Sequence, residues 1–330
     1  MENRKKDHII MAFESQILKD LIDRRFYYEP MLKPHPAGDL GTFPFGDKVM
    51  KAPVWVSSMT GGTKLAGKIN SNLAKVCKDY GMGMGLGSCR IILDDDTYFQ
   101  DFNVRDLIGE EQPLYANLGI AQVEQLLEEN KSRKIKELVN KLRADGLIIH
   151  VNPLQEWFQP EGDRLKKSPL DTVKQLLDIA DYPLIVKEVG QGIGYESLRE
   201  LLQLPLLGIE FAAFGGTNFA KLELMRSEPI KHELFEPLSK VGHDAYQMLA
   251  MVNHIFENEK VNTEQLIISG GIKNFLDGYY LIKKSKLPAI YGMASGFLKY
   301  AKESYEEVKE FAGYQVKGLQ LAYNYLTINE

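Results

Sequence analysis

Short apolar runs alternate with longer amphipathic ones, and the alternation repeats along the chain. The runs Pro53–Met59, Gly81–Gly87, Pro113–Gly119, Gly146–Val151, Pro183–Gly190, Gly208–Phe214, Leu266–Gly271 and Ala289–Ala294 are rich in Val, Ile, Leu and Tyr and bounded by Gly or Pro. That pattern predicts buried strands. Apolar positions at helical spacing predict helices over Leu65–Tyr80, Gln122–Arg143, Leu170–Ile179, Tyr195–Leu204, Asp244–Glu257, Phe275–Ser285 and Glu303–Tyr325. The link Ser88–Gln112 is more polar and carries no clear helix. Strands that alternate with helices imply a parallel α/β sheet, and eight strands is the number that closes a (β/α)8 TIM barrel. An open doubly wound sheet is the rival. We expect a single domain, with residues 1–50 as an N-terminal extension, 51–300 as the barrel and 301–330 as a C-terminal helix. The loop Asn152–Ser168 is long enough to be functional.

Composition narrows the class. The chain has 330 residues, with 40 Lys+Arg against 45 Asp+Glu and a net charge of −5. No bulk basic footprint for nucleic acid exists, though a local anion site remains open. Two cysteines make neither a disulfide framework nor a Cys-rich zinc site. No apolar run approaches the roughly 18 residues of a membrane span. The expectation is a soluble cytoplasmic protein with a small-molecule substrate and no nucleic-acid or membrane partner.

Chemistry in such a barrel collects at the C-terminal strand ends, and here those ends are polar or Gly-rich. Ser269-Gly270-Gly271 and Gly292-Met293-Ala294 close the last two strands. Small residues there bare backbone N–H groups for a phosphate, unless they are only tight turns. Gly81, Gly83, Gly85 and Gly87 recur at period two, so one face of the second strand lacks side chains. That face either admits a flat ring or lets a neighbour pack close. Lys187 follows the apolar run at residues 183–186. Its ammonium either stabilises an anion in the barrel mouth or pairs structurally with Glu188 or Glu210. His150-Val151-Asn152-Pro153-Leu154-Gln155-Glu156 gathers a base, two amides and a carboxylate, and Glu156 is a hard oxygen ligand suited to Mg2+. Asp94-Asp95-Asp96 reads better as cap chemistry than as a metal site. Cys89 reads as a bystander beside Arg90. The cationic cluster Arg4-Lys5-Lys6-Asp7-His8 precedes an apolar, helical stretch (Ile9–Leu18). It is either a solvated tail or a clamp that folds over the mouth.

Together these motifs resemble one family. Arg4-Lys5-x-x-His8, Ser58-Met59-Thr60-Gly61-Gly62, Gly87-Ser88-x-Arg90, Asn117-Leu118-Gly119, His150-x-Asn152-Pro153-Leu154-Gln155-Glu156, Val186-Lys187-Glu188-Val189-Gly190, Gly215-Gly216-Thr217 and Ser269-Gly270-Gly271 stand in the order found in type II isopentenyl diphosphate isomerases. The resemblance runs from residue 4 to about 296. It implies an FMN-dependent barrel enzyme that interconverts isopentenyl and dimethylallyl diphosphate with Mg2+, reduced FMN and NADPH as reductant, assembled as a homo-oligomer (a tetramer or octamer).

By that resemblance Ser58, Met59, Thr60, Ser88, Asn117, Lys187 and Thr217 contact FMN. Gly270, Gly271, Ile272, Lys273, Ala294 and Ser295 hold its phosphate. Arg4, Lys5, His8, Ser88, Arg90, His150, Asn152 and Gln155 surround the substrate. Glu156 binds the metal, and Gln155, Lys187 and His150 carry the catalysis. Phe219 stands where the family has Trp, Asn218 where it has Ser, and Cys89 where Gln is common, while Glu223 keeps its spacing. A flavin-dependent hydroxy-acid oxidase or nucleotide dehydrogenase is the rival enzyme, and a non-catalytic flavin- or phosphate-binding module the rival of another class.

Overall fold

The computed structural model describes residues 2–329. Its strands are β1 (Phe26–Tyr28), β2 (Phe43–Phe45), β3 (Lys48–Met50), β4 (Val54–Val56), β5 (Gly83–Gly85), β6 (Leu114–Gly119), β7 (Gly146–His150), β8 (Leu184–Lys187), β9 (Gly208–Glu210), β10 (Gln265–Ser269), β11 (Ala289–Met293) and β12 (Leu326–Ile328). β4 to β11 are the eight expected strands. They form a closed barrel in chain order, and β11 pairs with β4 in parallel register. The open sheet is excluded.

Strands in a parallel barrel are buried on both faces, which is why they read as nearly continuous apolar runs. Alternate positions divide the labour. Trp55, Tyr115, Ile148, Ile185, Ile267 and Ile290 fill the barrel interior. Val54, Val56, Leu147, Ile149, Val186, Ile209 and Ile268 form the layer under the helices. The β2–β3 hairpin, antiparallel to itself, plugs the floor at the strands' N-terminal ends. There the Phe45 ring stacks on Trp55 with centroids 5.1 Å apart, meets Tyr115 edge-on, and lies with Met50 in the interior cluster.

This packing decides the glycine face of β5. A Cβ on Gly83 would come within 2.5 Å of the Trp55 ring, and one on Gly85 within 2.5 Å of Ile148 Cδ1. The flat ring received there is the protein's own indole, so close packing is the correct reading for these two positions.

Several helical expectations need correction, among them the loop Asn152–Ser168, which holds the short helix Pro153–Phe158. The span Gln122–Arg143 is two helices, Ile120–Glu128 and Arg133–Lys141, broken where Asn130 takes a positive φ of 55°. The link from β5 to β6 holds two short helices, Phe99–Phe102 and Arg105–Ile108. Helices at Phe219–Met225, Pro229–Ser239 and Ser295–Ala301 were not anticipated. The long C-terminal helix, Tyr305–Tyr325, runs into β12, which pairs antiparallel with β1 and ties the extension to the barrel. At the N-terminus the helix is Glu2–Met11, earlier than the stretch Ile9–Leu18 suggested, and every side chain from Asn3 to Arg24 is exposed. Among the described residues no helix is long and apolar enough to cross a membrane.

Candidate active site

Residues paired across parallel strands point the same way, and the row Gly119, His150, Lys187, Glu210 runs across β6 to β9 in register. It brings an imidazole, an ammonium and a carboxyl group to the top of the barrel interior, one layer above Ile148 and Ile185. His150 Nδ1 lies 2.6 Å from Asn117 Oδ1, and since that oxygen only accepts, Nδ1 carries the proton. A Cβ on Gly119 would sit 3.0 Å from His150 Nε2, so the imidazole occupies space that any other residue at 119 would take. Burial first, and then the charge of Lys187, push the His150 pKa down to about 3. The imidazole is therefore neutral at physiological pH.

Lys187 is buried, and its Nζ donates to the main-chain oxygen of Glu188 at 2.9 Å. Among the described residues it forms no ion pair with Glu188 or Glu210. The Glu188 carboxyl is engaged elsewhere: Oε2 accepts the backbone N–H groups of Gly190, Gln191 and Gly192 at 2.6, 2.6 and 3.0 Å. Burial raises its pKa, and the three amides oppose that rise. Lys187 is thus left as a cation facing the mouth.

Beside it opens a cavity of about 300 Å³ over the ends of β8 to β11 and β4. Ser58, Lys187, Thr217, Gly270, Gly271, Ile272, Lys273, Ala294 and Ser295, all expected to bind cofactor, line it. The two glycine turns pack back to back. Gly270 has φ +90°, and a Cβ there would lie 2.1 Å from the Ala213 carbonyl oxygen. Gly215, at φ +110°, would strike Gly271 Cα at 3.0 Å. The interior wall holds buried polar atoms with no partner: Ser57 Oγ, Ser58 Oγ and Glu210 Oε2. A packed wall satisfies its polar groups, so this one is shaped for a polar ligand. Met59, Thr60, Ser88 and Asn117 are not part of this lining. Asn117 lies buried against His150, and Ser88 is exposed.

The segment after β7 is organised by Glu156. Pro153–Phe158 is a short helix with Pro at its start, and it turns Glu156 inward. Glu156 Oε1 accepts from Asn152 Nδ2 at 3.1 Å and Oε2 from the Asp163 backbone at 2.8 Å. Asn152 also donates to Gln155 Oε1, while its own Oδ1, buried, has no partner. Gln155 Nε2 reaches Glu223 Oε1 at 3.5 Å, and Glu223 is buried and paired with Arg226. Arg90 is exposed and pairs with Asp163 at 2.8 Å. The His150 ring bonds only Asn117, whereas Asn152, Gln155, Glu156 and, through Asp163, Arg90 are linked across the mouth. Arg4, Lys5 and His8 are not: they are exposed on the N-terminal helix, and the expected clamp is not closed.

Between them the second-strand loop and the acidic run follow their plainer readings. Cys89 is fully buried, and its thiol pKa is pushed up to about 12 by burial, so it is an inert bystander. Asp95 caps a turn by accepting from Thr97 N, while Asp94 and Asp96 pair with Lys134 and Lys141. Asn218 keeps a helix-capping role, accepting from Lys221 N at 2.8 Å, so its place in the motif is conservative.

Comparison with known proteins bears on the family. The chain is 32% identical over 306 residues to the isopentenyl-diphosphate delta-isomerase of Rickettsia felis, covering 91% of this chain and 86% of that one. It is 31% identical over 315 residues to the enzyme of the same name from Rickettsia peacockii, covering 93% and 89%. The chain belongs to the isopentenyl-diphosphate delta-isomerase family. No family model matches it.

Among solved structures, a flavocytochrome b2 mutant with benzoylformate shares the fold at a TM-score of 0.63, with 11% identity over 90% of this chain and 71% of that one. A mandelate oxidase mutant with a monooxide FMN adduct does so at 0.58, again with 11% identity, over 92% and 88%. For this isomerase family member those likenesses carry the barrel alone.

Two acidic residues were undervalued in the sequence. In the sequence Glu223 is marked only by its spacing, and Glu210 only as one alternative partner for Lys187. The signal for Glu210 was an acidic residue inside an otherwise apolar strand, a position that structure tolerates only with a partner.

Proposed function

We propose that the chain interconverts isopentenyl and dimethylallyl diphosphate, with reduced FMN in the cavity beside Lys187 and Mg2+ on the substrate diphosphate. Family membership supports the reaction. The single observation that supports the flavin is a cavity that brings the unpartnered Ser57 and Ser58 hydroxyls together with bare glycine turns. That is the donor set for a polar chain ending in a phosphate.

When bound and reduced, FMN supplies a ring nitrogen able to give and take a proton. The chain's own residues do the rest. Lys187, with no carboxylate to neutralise it, stabilises negative charge at the end of β8. Backbone N–H groups of Gly270, Gly271, Ala294 and Ser295 receive the cofactor phosphate. Glu156 keeps lone pairs free beyond its two hydrogen bonds and offers them, beside the unpartnered Asn152 Oδ1, to a hard cation. Gln155 stands between Asn152 and Glu223 and orients the reacting end, since its amide is too weak an acid to protonate an alkene. Neutral His150 presents Nε2 as an acceptor. Arg90, and Arg4, Lys5 and His8 once the N-terminal helix folds over the mouth, neutralise the diphosphate. Exposed Ile9, Phe13, Ile17 and Leu18 on that segment support burial against another surface, in keeping with a homo-oligomer.

Moving a double bond by one carbon changes no oxidation state. Anaerobic turnover of isopentenyl diphosphate should therefore require FMN reduced by NADPH or dithionite, with reductant needed only in catalytic amount. Full activity with oxidised FMN, or one NADPH consumed per product, would overturn the mechanism in favour of an oxidoreductase.

A further inference from the structure

Glu210 is fully buried at the end of β9, with one oxygen satisfied and the other unpartnered. Oε1 accepts the Ser269 hydroxyl at 3.2 Å, and that hydroxyl in turn accepts the Ala212 N–H at 2.9 Å. The serine has therefore spent its only proton, and Oε2 is left without a hydrogen-bond partner in a residue that lines the cavity. Around the mouth the order is Lys187 on β8, Glu210 on β9, Ser269 with Gly270 and Gly271 after β10, and Ala294 after β11. Glu210 thus lies midway between the cationic end of the cavity and its glycine end.

A buried carboxyl oxygen without a donor costs free energy unless a ligand supplies one. Ala212 adopts φ 42°, a left-handed conformation unusual for a residue with a side chain, and its N–H fixes Ser269 against Glu210.

We propose that Glu210 Oε2 is the acceptor for a hydroxyl of the ribityl chain, the polyol that joins the flavin ring to its phosphate. The carboxyl reads the middle of the cofactor, Lys187 its ring end and the glycine turns its phosphate. This rests on FMN being the occupant of the cavity. It makes Glu210 a determinant of which flavins bind, separate from the residues that receive the phosphate.

The test is a two-by-two comparison on purified apoprotein by flavin fluorescence quenching. Wild type and Glu210→Ala are each titrated with FMN and with an analogue whose chain is a pentyl phosphate, which keeps ring and phosphate but lacks the hydroxyls. Wild type should bind FMN at least tenfold more tightly than the analogue, about 1.4 kcal/mol. In Glu210→Ala that preference should fall to within about twofold, with analogue affinity unchanged. Equal loss for both ligands, or an undiminished preference for FMN, would overturn the assignment. If Glu210→Ala fails to fold, Glu210→Gln carries the same test. It preserves volume and one acceptor oxygen, and its preference should fall severalfold, an unchanged ratio again overturning the assignment. Failure of wild type to bind either ligand would instead refute the FMN reading on which the inference stands.

Discussion

His150 makes the protein sensitive to mild acid in a calculable way. Its pKa in the fold is about 3, against an ordinary value of 6.5, because the ring is buried and faces Lys187. Between those values the unfolded chain holds a proton on this residue that the folded chain does not, so stability rises with pH across that window. The slope from one such group is about 1.36 kcal/mol per pH unit once the unfolded imidazole is fully protonated. Lowering the pH from 6.5 to 5 therefore removes somewhat under ~2 kcal/mol, a sizeable part of the ~5–15 kcal/mol typical of a folded protein.

The assay is urea unfolding of the apoprotein at a series of pH values, for wild type and for His150→Gln. Glutamine can still donate to Asn117 Oδ1, so the comparison isolates the proton. The stability difference between the two proteins should shift by more than 1 kcal/mol in favour of the variant from pH 7 to pH 5. A difference that stays constant with pH would show that His150 protonates without penalty, and the neutral imidazole in the proposed mechanism would fall with it.

Other perturbations reach different parts of the site. Gly270→Ala forces a left-handed φ and a 2.1 Å approach to the Ala213 carbonyl, and should lower stability by at least ~2–3 kcal/mol and weaken FMN binding. An unshifted melting temperature would mean the turn relaxes freely. Glu156→Gln should raise the Mg2+ concentration needed for half-maximal turnover while leaving flavin affinity unchanged, and an unaltered Mg2+ dependence would remove Glu156 as the ligand. Deleting residues 1–8 should raise substrate KM at least tenfold, since charge-assisted contacts are worth roughly 1.5–3 kcal/mol each, and unchanged kinetics would make the segment a solvated tail.

The eight strands were legible because both faces of each are buried, which leaves uninterrupted apolar runs between Gly and Pro. The break near Asn130 was also legible in retrospect. Seven polar residues separate Leu127 from Ile135, and no amphipathic helix skips two turns of its apolar stripe. Helices at Phe219–Met225 and Pro229–Ser239 lie on loops above the barrel, and many of their apolar residues, such as Ile230 and Leu234, are exposed, so periodicity says little about them. Within the site, Lys187, Gly270 and Gly271 stood out because each departs from its surroundings. Glu210 shows in sequence only as an acidic residue in an apolar strand. What it does there depends on which atoms across the barrel fail to reach it, and that lives in three-dimensional packing.

The hairpin that seals the barrel floor has a kinetic consequence. With Phe45, Met50 and Trp55 filling the lower interior, the described residues close the barrel from below, and the cavity lies at the level of the strand-end loops. In the proposed arrangement, a cofactor against Lys187 and a diphosphate above it at the loop after β7 would both enter from the strand-end side. Loading would then be sequential, cofactor before substrate, and a bound diphosphate would act as a stopper. The rate at which labelled flavin exchanges out should fall as diphosphate is added, and the enzyme should retain its cofactor best when it is busiest.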